Sequence, residues 1–409
     1  MTQSLIVIGA GHAAGQAVVS LRAGGWDGRI VVVGEESHVP YERPPLSKQY
    51  LAGEMELERV FFRPPAFYDD AEVELRRGRR AVGLDREART VTLDDGRALR
   101  YDRLLLATGS RPRRLELPGA GLDGVCYLRT IDDVDALRRR FAPGRRLAVV
   151  GGGYIGLEVA AVAVEKGLDV TVLEMAPSLM ARVVAPAVAG FFAALHRRHG
   201  VDVRTGARVE GFAGTDAVEA VLCAGGERLA ADLVLVCVGV VPNVELARDA
   251  GLPCAGDGEG GGVRVDENAR TADPRVYAAG DCTSHPNALV GRRVRLESVH
   301  NAVEQAKTAA AALCGTPRPY EQVPWFWSDQ YDVKLQIAGL SAGHDQVVLR
   351  GDPAAGSFAA CYLLGGALIA LDAISSPRDF MGARRPIAAR AKIPPERLAD
   401  AGVAWKDMT

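Results

Sequence analysis

Apolar residues gather into short unbroken runs that alternate with helical stretches, and one such pattern occurs twice. In the first copy, residues 5–8 (Leu-Ile-Val-Ile) read as a buried strand, and Gly9-Ala10-Gly11-His12-Ala13-Ala14-Gly15 follows. An Ala/Val/Leu-rich helical stretch then runs to Arg22, Gly24-Gly25 stops it, and the β-branched run 29–33 ends near Glu35. In the second copy, residues 147–150 form the strand and Gly151-Gly152-Gly153-Tyr154-Ile155-Gly156 the turn. A helix through Lys166 ends at Gly167, and the strand 169–173 brings Glu174 to its tip. Beyond about residue 323 the character changes: 347–351, 357–364 and 367–374 read as short strands separated by glycine turns, with a helical pattern over 381–390. The predicted fold class is α/β, with two Rossmann-like dinucleotide-binding domains and a small α+β C-terminal domain.

The repeated unit has a specific physical purpose. Its first glycine (Gly9, Gly151) permits a tight strand-to-helix turn, and its second (Gly11, Gly153) lets backbone approach a pyrophosphate. The third position must be small for close helix–strand packing, and Ala14 and Gly156 stand there. Free amides at the helix start and the helix dipole then favour phosphate. An acid at the next strand end accepts from an adenosine ribose; Glu35 lies 26 residues after Gly9 and Glu174 23 after Gly151, near the expected ~20. A lone glycine fingerprint is weak, but here strand, helix and acid all recur, so two dinucleotides are expected. Glu174 stands where a 2′-phosphate would sit and Met175-Ala176 follow, so NADH is expected over NADPH, with Arg182 the residue that could still contact the nucleotide.

A chain of 409 residues exceeds one ordinary core, so two or three domains are expected. The net charge of −2 argues against general affinity for nucleic acid or anionic membrane. No apolar run approaches the ~20 residues of a membrane span, and residues 5–8 are too short for a signal-peptide core. The seven cysteines are scattered, without a Cys-x-x-Cys or Cys/His cluster, so neither metal site nor disulfide framework is expected and a cytoplasmic location fits.

Two more segments complete the first copy. Residues 104–106 lead into Ala107-Thr108-Gly109-Ser110-Arg111-Pro112, an apolar strand broken by a Thr-Gly turn. Residues 271–281 form a strand ending in Gly280-Asp281, whose carboxylate can approach a hydroxylated ribityl chain. With these the chain resembles the two-dinucleotide-domain flavoprotein reductases of the glutathione-reductase type. The runs Tyr41-Glu42-Arg43-Pro44-Pro45-Leu46-Ser47-Lys48, Arg295-Leu296-Glu297-Ser298-Val299 and Pro324-Trp325-Phe326-Trp327-Ser328-Asp329-Gln330 sharpen this. They are similar to the oxygenase-coupled ferredoxin reductases, from residue 5 to about 390 and in one order.

The resemblance implies an FAD enzyme in which Gly9, Gly11, Ala14, Glu35, Arg43, Lys48, Ala107, Thr108, Gly109, Arg111, Asp281, Val299 and Trp327 hold the flavin. Gly151, Gly153, Ile155, Gly156, Glu174 and Arg182 would hold NAD. It further implies that Lys48 lies beside the flavin ring, paired with Glu158, that Glu297 and Val299 lie near the rings, and that Trp327 covers the flavin edge. Lys48, Glu158, Glu297 and Trp327 are thus the candidate catalytic residues; Trp325 reads as packing. His300 departs from the family pattern, and reads as a core histidine or a group tuning the flavin's surroundings.

Absent residues narrow the chemistry. Disulfide and peroxide reductases of this architecture need a thiolate after the first nucleotide-binding unit. Residues 36–60 contain no cysteine, and Cys282, beside Asp281, reads as a small buried hydrophobe. The reaction expected is hydride transfer from NADH to FAD, then delivery of single electrons to a 2Fe–2S ferredoxin feeding a cytochrome P450 or other oxygenase. A rubredoxin reductase or NADH oxidase is the alternative, and a flavoprotein like apoptosis-inducing factor a remote one. The expected domains are FAD-binding 1–113 with 243–322, NAD-binding 114–242, and C-terminal 323–409. Lys307, Arg384, Arg385 and Lys392 are candidates for docking an acidic ferredoxin, with a monomer or weak homodimer expected.

Overall fold

A computed structural model describes residues 3–408. The chain forms two compact units. The first holds the chain up to Arg43, Glu56–Arg111 and Val241–Gln322; the second holds Pro44–Met55, Pro112–Val240 and the chain from Val323 onward.

In the first unit a five-stranded parallel sheet has the order Val276–Ala278, Arg103–Leu106, Ser4–Ile8, Arg29–Gly34, Val73–Arg77. Leu5, Ile6, Val7 and Ile8 are buried, as an unbroken apolar run must be in a sheet covered on both faces. One face packs on helix His12–Ala23, which meets Val299–Leu313 through Ala13, Ala14, Ala17 and Ala302, Ala306, Ala309. Small side chains allow this close approach. The other face packs with Val91, Leu93, Tyr101, Leu252 and Val263.

The second unit repeats the scheme. Its parallel sheet runs Asp202–Thr205, Asp169–Glu174, Arg146–Val150, Leu233–Val236, Val125–Cys126, with helix Tyr154–Glu165 following the central strand. The central strand of each sheet is thus the one that enters a glycine turn, and ligands bind beyond the carboxyl ends of such strands.

The second unit also contains an antiparallel sheet, Trp325–Gln330, Val333–Gly339, Ala367–Ile374, Ser357–Leu364, Gln346–Asp352, backed by helix Pro377–Ala388. Two differences from the sequence reading stand out here. The tryptophan segment and residues 333–339 are strands, joined by the two-residue turn Tyr331-Asp332. The helix begins at Pro377 rather than Met381, because Pro at the first position costs no hydrogen bond, and it ends soon after Pro386. The segment Pro44–Met55 belongs to the second unit: Tyr50 donates to Asp135 (2.9 Å), and Arg138 donates to the Tyr50 carbonyl.

Candidate functional site

The two glycine turns use one device. Gly9 has φ +109° and Gly151 φ +108°, a region closed to residues with a Cβ. A Cβ on Gly9 would lie 2.0 Å from the Ala107 carbonyl oxygen, and one on Gly151 2.4 Å from that of Cys237. Gly11 and Gly153 differ: their backbones are extended, and a Cβ there would meet nothing within 4 Å. Both are helix N-caps without a side-chain bond, at the amino ends of His12–Ala23 and Tyr154–Glu165, where the helix dipole is positive. Open space before a helix N-terminus is what a pyrophosphate requires. Ala14 is fully buried, and a Cβ on Gly156 would lie 2.4 Å from the Gly151 carbonyl, so both small positions are packing requirements.

In the first unit, Glu35 is exposed at the end of strand Arg29–Gly34, open to a ribose. Its neighbour Glu36 instead accepts from Arg43 (2.8 Å) and from the Tyr41 hydroxyl (2.5 Å). Arg43 also donates to Tyr41 (2.8 Å). Burial works against the Arg43 charge, yet Tyr41, Glu36 and Asp281 outweigh it and hold the guanidinium above its ordinary pKa. Ala107, Thr108 and Gly109 turn the chain after strand Arg103–Leu106, with Gly109 at φ +63°. The turn is tied to Asn243: Thr108 Oγ1 donates to the Asn243 carbonyl (2.7 Å), and Asn243 Nδ2 to the Thr108 carbonyl (2.8 Å). Arg111 is exposed and pairs with Asn243 and Glu245 (2.8 Å). Asp281 accepts from Ser110 (2.8 Å), which fixes one carboxylate oxygen.

Glu297 is exposed and paired with Arg295 (2.6 Å), while Val299 opens helix Val299–Leu313, where Ser298 caps the Asn301 amide. His300 is buried on that helix, as is its neighbour Asn301. Cys282 is fully buried, and burial raises its thiol pKa. That environment suits packing and not a reactive thiolate.

In the second unit, Glu174 bonds back to its own turn: Oε2 accepts from the Gly152 amide and Oε1 from the Ala176 amide, both at 2.7 Å. Its carboxylate is therefore held at the mouth of the second cradle. Ile155 and Arg182 are exposed, and Arg182 borders Gly239. Lys48 and Glu158 are brought together: Lys48 Nζ lies 2.6 Å from Glu158 Oε2 and also donates to the Pro44 carbonyl (3.3 Å). Glu158, 4% exposed, accepts further bonds from Ser47 (2.5 Å) and Ser328 (2.7 Å). A buried carboxylate is tolerable only with such partners. The Pro44–Ser47 turn aims both Ser47 and Lys48 at it. Trp327 is half-buried, 5.3 Å from Trp325, which itself packs edge-on to Phe380; Phe326 lies 4.6 Å from Tyr154.

Arg384 lies over Phe380, Arg385 and Lys392 are exposed, and Lys307 in the first unit is paired with Glu304 (2.7 Å). Sequence reasoning missed Glu36, Tyr41, Ser47, Ser110, Asn243 and Ser328. Their neighbours in the chain gave signal for Tyr41, Ser47, Ser110 and Ser328, which sit inside the very segments that carried the resemblance.

Residues 3–306 match the family described as "Pyridine nucleotide-disulphide oxidoreductase", and residues 325–409 match "Reductase C-terminal". Putidaredoxin reductase of Pseudomonas putida is 42% identical over 411 residues, covering 99% of this chain and 96% of the relative. Rhodocoxin reductase of Rhodococcus erythropolis is 45% identical over 398 residues, covering 97% and 92%. The solved covalent putidaredoxin reductase–putidaredoxin complex superimposes with TM-score 0.95 at 42% identity, covering 99% of this chain and 98% of that one. The two cradles are accordingly those of FAD and NAD(H), and the chain belongs to the pyridine nucleotide-disulphide oxidoreductase family.

Proposed function

We propose that the protein is an NADH-dependent, FAD-containing reductase that delivers electrons to a 2Fe–2S ferredoxin, which in turn feeds a cytochrome P450 or another oxygenase. The observation that carries this reading is the segment after the first nucleotide-binding turn. Residues 36–60 hold no thiol, and Lys48, ion-paired with the buried Glu158, stands in that stretch instead. Without a sulfur relay, the chain is suited to an acceptor that takes electrons from the flavin itself. When bound, FAD supplies the conversion between a two-electron hydride from NADH and single-electron delivery. The chain's own residues bind and orient. Gly9, Gly11 and the helix amides after them hold the FAD pyrophosphate, Glu35 its ribose, and Asp281 its ribityl hydroxyls. Gly151, Gly153, Ile155, Gly156, Glu174 and Arg182 hold NAD. Lys48, fixed by Glu158, is the cation that serves the flavin, and Glu297, Val299 and Trp327 are each assigned to the reaction.

We assign residues 1–113 and 243–322 to FAD binding, 114–242 to NAD binding and 323–409 to the C-terminal domain. Arg384, Arg385 and Lys392 of the second unit, and Lys307 of the first, attract an acidic partner, where charge would chiefly raise the association rate. Seven free cysteines favour a reducing cytoplasm. The test is steady-state NADH oxidation with and without added 2Fe–2S ferredoxin. Ferredoxin should accelerate turnover strongly; rapid turnover with oxygen alone, unaltered by ferredoxin, would instead make the protein an NADH oxidase.

A further inference from the structure

Behind Glu158 runs a file of buried polar side chains. Ser328 Oγ donates to Glu158 Oε1 (2.7 Å), Gln330 Nε2 donates to Ser328 Oγ (3.2 Å), His196 Nε2 meets Gln330 Oε1 (2.9 Å), and the Tyr331 hydroxyl meets His196 Nδ1 (3.1 Å). Ser328, Gln330 and His196 are fully buried, and Tyr331 stacks on the exposed ring of His199 at 3.7 Å. All belong to the second unit, and none is among the site residues expected from the sequence.

The carboxylate end sets the direction of every bond. An ionised Glu158 only accepts, so Ser328 must spend its one proton on it and must itself accept from Gln330. Gln330 then presents its oxygen to His196, which must be the Nε2–H tautomer, leaving Nδ1 to accept from Tyr331. Burial pushes the His196 pKa down to about 4, against the Gln330 hydrogen bond that raises it, so the ring is neutral and carries the single proton this order needs. Gln330 has no proton to pass on easily, so the file holds a geometry and does not conduct protons.

A second feature points the same way. Tyr331 occupies a two-residue hairpin turn at φ +56°, a position that Gly or Asn fills without strain. A bulky aromatic there is explained by what its ring and hydroxyl do: stack on His199 and lock the His196 tautomer.

We propose that Ser328, Gln330, His196 and Tyr331 are positioning residues for the reductase reaction, a one-directional file of donors that fixes the Glu158 carboxylate and, through it, Lys48. The inference rests on the reading that the Lys48–Glu158 pair serves the flavin.

Two measurements on the FAD-loaded enzyme test it. In ¹⁵N-histidine NMR, with His196→Gln used to assign the signal, His196 should appear as the Nε2–H tautomer and stay neutral at pH 6; Tyr331→Phe should shift it toward a tautomer mixture. In anaerobic stopped-flow, Glu158→Gln should slow flavin reduction by NADH, and His196→Phe should slow it by about threefold to tenfold, the effect of one lost hydrogen bond. His196→Gln, which restores an N–H donor and an oxygen acceptor, should recover most of the rate. An Nδ1–H tautomer overturns the proposal. So does a wild-type rate in His196→Phe while Glu158→Gln is slow, or equal slowing by Phe and Gln at position 196, which would mean packing alone. A wild-type rate in Glu158→Gln fells the reading of the ion pair itself, and the proposal with it.

Discussion

Gly151 and Gly153 sit two residues apart, yet the structure gives them opposite failures. Alanine at Gly151 must adopt φ +108° and bring a Cβ to 2.4 Å from the Cys237 carbonyl. The backbone strain alone is about 1–3 kcal/mol, and relieving the collision adds to it. At roughly 1 °C per kcal/mol for a chain this long, Gly151→Ala should lower Tm by a few degrees, with or without nucleotide. Alanine at Gly153 keeps its φ of −86° and meets nothing within 4 Å, so the fold should not notice. The new methyl instead occupies the approach of the pyrophosphate to the helix amides. Losing one charge-assisted hydrogen bond there costs about 1.5–3 kcal/mol, which is roughly a 10- to 150-fold weaker Kd. Titration calorimetry of NAD⁺ into the FAD-loaded variants, beside thermal unfolding of each, reads both quantities. A Gly153→Ala enzyme that binds NAD⁺ as wild type does, or one that loses as much Tm as Gly151→Ala, would refute the reasoning.

Glu174→Ala removes the acid held at the second cradle by the Gly152 and Ala176 amides, and should reduce the preference for NADH over NADPH; an unaltered ratio of kcat/KM values would contradict its role. Arg384→Glu with Arg385→Glu should slow ferredoxin reduction and flatten its salt dependence while leaving flavin reduction by NADH intact, and unchanged salt dependence would remove these arginines from the docking surface. Burial pushes Asp372 up to about 7, against the Tyr362 and Ala185 hydrogen bonds that lower it. The folded chain therefore keeps a proton that the unfolded chain releases near pH 4, so this group's stabilisation is full below about pH 4 and is lost as pH rises through 7. Asp372→Asn should accordingly gain Tm over wild type between pH 5 and 8; parallel Tm curves would refute the assignment.

The glycine turns were legible because their geometry is local: strand, Gly9 or Gly151, open Gly11 or Gly153, and helix lie within a few residues of one another. The continuous runs 5–8 and 147–150 likewise announced the central strands of the two parallel sheets. Strand Trp325–Gln330 escaped because its burial alternates weakly and its aromatics suggested packing. Partners distant in sequence were invisible. Ser47 reaches Glu158 across 111 residues and Ser328 across 170, and no periodicity announces such a meeting. Lys48 and Glu158 were paired through the resemblance alone, and that resemblance carried no word of His196, which lies in the last turn of helix Pro186–Arg198 beside Arg197 and Arg198.

The assignment of Pro44–Met55 to the second unit has a consequence for anyone building hybrids of such reductases. A splice that exchanges only the contiguous block 112–240 would import a foreign Glu158 while retaining the host's Lys48, Ser47 and Ser328. The natural cassette for recombination is instead discontinuous, three stretches that must travel together. Junctions placed at Arg43/Pro44, Met55/Glu56 and Gln322/Val323, in addition to the two flanking the block, would keep the inherited contacts whole.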